Sequence, residues 1–173
     1  MPLRVGLTAA TVIATPFGAA SATAAALDNQ QVPTKAVSQV PDRFRCTTQE
    51  TLRGLDALPR ATLFTPLDIG AHVLVYTHHS VVATGHHRNA EGMKEAISGL
   101  IATPEDARRI VTATGANYVA LCLGENEVVK YAKREPASLI AGLRKGEHPD
   151  WLVPVPMRKG ESIKVYRVVY PEI

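Results

Sequence analysis

Apolar positions recur at two different spacings along the chain, and the switches between them predict its elements. In "TTQETLRGLDAL" (47–58), Leu52, Leu55 and Leu58 share a helical face, with Thr48 placed to cap it. "ATLF" (61–64) predicts a short strand, and "DIGAHVLVYT" (68–77) a helix with Asp68 at its N-cap, where a carboxylate accepts orphan backbone N–H groups. "SVVAT" (80–84) is β-branched and flanked by polar residues, the signature of a strand. Asn89 caps a helix over 90–102 whose apolar face is Met93, Ile97, Leu100 and Ile101. Thr103, Pro104 and Asp106 open the next helix, and Gly115 closes it.

"NYVALCLG" (117–124) is almost continuously apolar, as a strand buried on both faces must be. A helical stretch over 126–145 is broken by Pro136. "WLVPVP" and "IKVYRVVY", joined through "RKGES", predict a closing antiparallel hairpin with Trp151 as a core anchor. The sum is an α/β fold: a small sheet of about three strands interleaved with helices, plus the C-terminal hairpin.

Residues 5–27, "VGLTAATVIATPFGAASATAAAL", carry no charge and follow a short basic start. Small residues at Ala22, Ala24 and Ala26 match a secretory cleavage site, and about 20 uncharged residues also suffice to span a bilayer. The expectation is an apolar N-terminal helix over 1–27, serving as signal peptide or single membrane anchor. Residues 28–43, polar and proline-containing, form a linker, and 44–173 are an extracytoplasmic α/β domain. The expected location is the periplasm or the extracytoplasmic face of the inner membrane. Two cysteines in an exported chain are most simply one disulfide, Cys46 to Cys122. The alternative is a pair of buried thiols.

Charge narrows the function further. The net charge of +3 is scattered rather than striped, and aromatics make up 5% of residues, so neither a phosphate-tracking surface nor a stacking platform for nucleic acid is visible. Nothing implies a cofactor.

"THHSVVATGHHRN" (77–89) concentrates four of the six histidines. Across an extended strand His79 and His86 would lie on the order of 23 Å apart, too far to share one zinc ion, and no H-E-x-x-H or C-x-x-C spacing is present. Ser80 beside His79 lacks a nucleophile elbow. "GHHRN" falls instead between a strand and a helix, where unpaired N–H groups and the helix dipole favour an anion. His86, His87 and Arg88 would add donors there, with Arg88 able to grip phosphate or carboxylate through two hydrogen bonds. Asp68, after the preceding strand, would line the same rim. The plain alternative is that Arg88 pairs with Asp68 and the histidines pack. The candidate binding residues are thus Asp68, His79, His86, His87, Arg88 and Asn89, with no catalytic residue and no metal ligand assigned.

The order of "PLDIGAHVLVYTHHSVVATGHHRNAEGMKEAI", a further helix, "NYVALC" and "IKVYRV" resembles the C-terminal extracytoplasmic domain of bacterial membrane glycosyltransferases of the GT-C type. More remotely it is similar to the soluble domain of the oligosaccharyltransferase catalytic subunit. The resemblance spans roughly 44–170. It places Asp68 and Gly70 of "TPLDIG" at the Asp and Gly of a W-W-D-Y-G motif whose tryptophans are absent here and whose tyrosine is Ile69. In such enzymes the tryptophan-rich motif recognises the acceptor, and the catalytic acids and metal lie in loops of a multi-spanning membrane part that this chain does not contain.

The resemblance therefore implies an exported or membrane-tethered domain that is not an enzyme on its own. Its partners would be an anionic or sugar-phosphate ligand, a multi-spanning membrane subunit, and the membrane itself through 5–27 if that segment is uncleaved. A free-standing periplasmic small-anion-binding protein is the main alternative, and a metal-dependent hydrolase a distant third.

Overall fold

The computed structural model describes residues 46–157 and 162–171. The elements run α1 (Gln49–Leu52), a 3₁₀ helix (Arg53–Ala57), β1 (Thr62–Phe64), α2 (Leu67–Tyr76), β2 (Ser80–Val81), α3 (Ala90–Ile101), α4 (Pro104–Ala113), β3 (Tyr118–Cys122), α5 (Asn126–Arg134), α6 (Leu139–Lys145), β4 (Leu152–Val155) and β5 (Ile163–Val168). Among the described residues no helix is long and apolar enough to cross a membrane. The predicted N-terminal helix and the linker over 28–43 lie outside the described residues.

The α/β class is as expected, but the sheet is larger. The order is β2-β1-β3-β5-β4, a single five-stranded sheet rather than about three strands beside a separate hairpin. β1 pairs in parallel with β2 and β3. β5 runs antiparallel to β3, with Val119 opposite Tyr166 and Ala120 opposite Val165. The physical reason lies in β3. A strand buried on both faces has no water for its backbone groups and needs a partner along each edge. The hairpin supplies the second one. β4 is left at the margin, where Pro154 removes no ladder donor that another strand requires.

Helices cover both faces. α1, the 3₁₀ helix and α2 pack on one, around Leu52, Leu55, Leu63, Val73, Ala120 and Ile163. α3 to α6 pack on the other, around Phe64, Leu100, Val111, Leu121, Leu143 and Trp151. Trp151 is a core anchor whose indole N–H donates to the Pro104 carbonyl at 3.2 Å. The caps on Thr48, Asn89, Thr103 and Ser138 hold their helices as local chemistry requires.

Three local expectations change. The first helix keeps one α turn and then tightens to 3₁₀ through Gly54, a poor α former. The 80–84 strand pairs only at Ser80 and Val81. Val82 still donates to Leu63, and its own carbonyl is then taken by the Asn89 side chain. Asp68 is not the cap of α2. Pro66 stands at the N-cap with no side-chain bond, so Asp68 falls one residue inside the helix.

The helix packs so closely on the segment after β2 that a Cβ on Gly70 would sit 2.5 Å from the Ala83 carbonyl oxygen. Cys46 and Cys122 form a disulfide, Cα–Cα 6.0 Å, with Ile69 buried beside it.

Two stability effects follow. Reduction, or the Cys46→Ser/Cys122→Ser pair, releases a constraint spanning 76 residues and should lower unfolding free energy by about 4 kcal/mol, read from guanidinium midpoints with and without reductant. Gly70→Ala pushes a methyl group into backbone and should cost about 1–3 kcal/mol in the same assay, whereas an unchanged midpoint would mean that α2 can shift freely.

Candidate functional site

Because β1, β2 and β3 are parallel, their carboxyl ends lie along one rim of the sheet. The chain leaving β1 turns to one side to build β2, while β3 lies on the other side of β1. Ligand crevices of open α/β sheets form at such a reversal. Three segments meet the rim: Thr65–Asp68 after β1, Val82–Asn89 after β2, and Leu123–Glu127 after β3.

The predicted residues divide between this rim and the interior. His79 precedes β2, at the opposite end of that strand from His86 and His87. It is 4% exposed, and its Nε2 bonds the Leu55 carbonyl at 2.8 Å, tying the 3₁₀ helix to the sheet. Neighbouring His78 bonds Asp56 at 3.1 Å and the Leu58 carbonyl at 3.2 Å. Asn89 is spent on the fold: its Oδ1 accepts the Gly92 N–H and its Nδ2 donates to the Val82 carbonyl, each at 3.1 Å.

His86, His87 and Arg88 stay exposed in front of α3. The two imidazoles stack with centroids 4.9 Å apart, and the Arg88 N–H reaches His86 Nδ1 at 3.4 Å. Arg88 forms no ion pair with Asp68.

Asp68 has other company. Its backbone N–H donates to Glu127 Oε2 at 2.9 Å, so the carboxylate that caps α2 comes from α5. The Leu67 N–H and the Tyr131 hydroxyl also bond Glu127. Burial nonetheless raises the Glu127 pKa above the ordinary carboxylate range, and burial first, then Glu127, lifts Tyr131 to about 12. Glu125, at the N-cap of α5, is lifted to about 7 by burial and then by the charges of Asp68 and Glu127. Its Oε2 is buried without a hydrogen-bond partner, as is the Thr65 hydroxyl on the neighbouring segment.

The rim thus has a basic, exposed end at His86–Arg88 and an acidic end where exposed Asp68 borders the buried carboxyls of Glu125 and Glu127. Among the described residues no three acidic, histidine or cysteine side chains converge as metal ligands would. Sequence reasoning took Glu127 into a helix over 126–145 and gave Glu125, between strand and helix, no role. The available signal was their position: carboxylates in "LGENE", immediately beyond an apolar parallel strand.

No protein-family model and no curated protein matches the sequence. Among solved structures the fold is similar to the C-terminal globular domain of oligosaccharyltransferase from Archaeoglobus fulgidus. The TM-score is 0.53 at 13% identity, over 76% of this chain and 99% of that one. The remote resemblance read from "PLDIGAHVLVYT" and "NYVALC" is therefore shared at the level of the fold.

Stability separates scaffold from surface within "HHRN". Asn89→Ala removes two hydrogen bonds and should cost about 1–2 kcal/mol, while Arg88→Ala should fall within about 0.5 kcal/mol of wild type. A large loss in the arginine variant, measured by urea unfolding, would place Arg88 in the scaffold instead.

Proposed function

We propose that the chain is a non-catalytic, exported or membrane-tethered domain of glycosylation-associated type. In this reading it engages a multi-spanning membrane subunit, or an anionic or sugar-phosphate group, through the rim at the carboxyl ends of β1–β3. The observation that carries the reading is the fold itself, which matches an oligosaccharyltransferase C-terminal globular domain over 99% of that domain's length. The disulfide adds support, since such bonds persist in oxidising, extracytoplasmic compartments. So does the uncharged stretch over 5–27.

The two ends of the rim serve different partners. An anion is repelled by Asp68 and Glu127, so the phosphate-facing residues are His86, His87 and Arg88 at the start of α3. Asp68 and Asn89 border that surface, and His79 supports it from inside the fold. The W-W-D-Y-G tryptophans are missing from "TPLDIG", so the domain does not read an acceptor peptide as they would.

The first test is the mass and compartment of the protein expressed with its native N-terminus. Full-length chain that stays in the membrane fraction after salt washing supports tethering beside a membrane partner. Recovery of a soluble periplasmic form lacking about the first 26 residues removes the tether and leaves the free-standing small-anion binder. For the ligand, a sugar 1-phosphate titrated by calorimetry should bind wild type at least tenfold more tightly than Arg88→Ala. Equal binding would exclude that loop as the anion site.

A further inference from the structure

Glu125 is an anomaly in the packing. It is 4% exposed, one carboxyl oxygen has no hydrogen-bond partner, and among the described residues no cation forms an ion pair with it. Each element around it presents an identifiable group. From α2 comes Asp68, and from α5 come Glu127 and Tyr131. From α6, Arg144 donates its Nε–H to the Leu123 carbonyl at 3.1 Å, two residues before Glu125, and forms no ion pair with the Glu125 carboxyl. Tyr131 is engaged with Glu127. Among the described residues, two further carboxyls and no ion-paired cation therefore face a buried acid.

An ionised carboxylate in such a place is costly unless it is paired. The groups do not converge as metal ligands do. The ligand that a closed, unpaired acid can take without a cavity is a proton.

We propose that Glu125 is a proton-operated latch on the rim. With Glu125 protonated, Glu127 remains as the anion that caps α2 and ties it to α5. When Glu125 ionises, a new buried negative charge stands against that cap and against Asp68. The bond from the Asp68 N–H to Glu127 weakens, and the start of α2 loosens together with the turn after β3. Because like-charged neighbours titrate together, the proton belongs in part to the Glu125–Glu127 pair.

The sign follows from the raised folded-state pKa of about 7 for Glu125 against the ordinary glutamate value of 4.5. The stabilisation is complete below the unfolded value. It declines as pH rises between the two values and is lost above the folded one. Glu127, also raised, adds in the same direction.

The test measures urea unfolding of the full-length chain from pH 5 to 8, with the Asp68 backbone amide followed by NMR over the same range. The folding constant should fall by up to roughly tenfold per pH unit toward neutrality and flatten above it. Glu125→Gln should remove most of that difference, so that subtracting the two profiles isolates this group from the histidines. The Asp68 amide should titrate near pH 7 in wild type and lose that inflection in Glu125→Gln. In Glu127→Gln, which lacks one like charge, the inflection should move to lower pH. If Glu125→Gln fails to fold, the wild-type amide titration decides alone. An unchanged slope in Glu125→Gln, or an Asp68 amide inflection below pH 5, overturns the latch.

Discussion

β3 is buried on both faces, and most of the domain is a response to that constraint. Val119 and Leu121 turn toward the α3–α6 layer, while Ala120 and Cys122 turn toward the layer that holds α1 and α2. Neither row of backbone groups can be left to water, so β1 takes one edge in parallel and β5 takes the other antiparallel. Closing a helical layer over each face then places Phe64 and Leu63, successive residues of β1, in different cores. The disulfide at Cys122 fastens the incoming chain to the end of this strand.

The acidic end of the rim grows from the same strand. After Cys122 the backbone folds back through a turn, with Glu125 N–H donating to the Cys122 carbonyl at 3.1 Å, and α5 begins at once. That tight exit carries Glu125 and Glu127 against the start of α2. There Pro66 has no side-chain acceptor to give, and a carboxylate from a different element fills the role. A cap borrowed across the fold couples two helices that a local cap would have left independent. Its flanking carboxyls then make the coupling sensitive to protons. The basic end at His86–Arg88 belongs to the edge strand β2, whose short pairing leaves its following loop free to face solvent.

Much of this was legible from local chemistry. Thr48, Asn89 and Thr103 each act within a few residues of themselves, and the break at Pro136 needs no tertiary partner. Asp68 was misplaced because cap position depends on where the preceding strand releases the chain, and residues further along the sequence settle that. His79 looked like its exposed neighbours in "THHSVVATGHHRN" until the sheet buried it and the Leu55 carbonyl took its ring nitrogen. Glu125 and Glu127 drew no role from the sequence, since nothing in their spacing shows that 59 residues before Glu127 a helix start lacks an acceptor.

By itself, then, the sequence determined the α/β class, the ends of most helices and the apolar character of β3, because these rest on interactions between residues close in the chain. It also carried the cysteine pair and the exposed basic loop. Only the tertiary structure decided that the hairpin joins the same sheet, that Asp68 sits among acids rather than beside Arg88, and that one of those acids has a carboxyl oxygen buried without a hydrogen-bond partner. Those outcomes follow from which strands pair and which surfaces lose their water, and periodicity does not encode either.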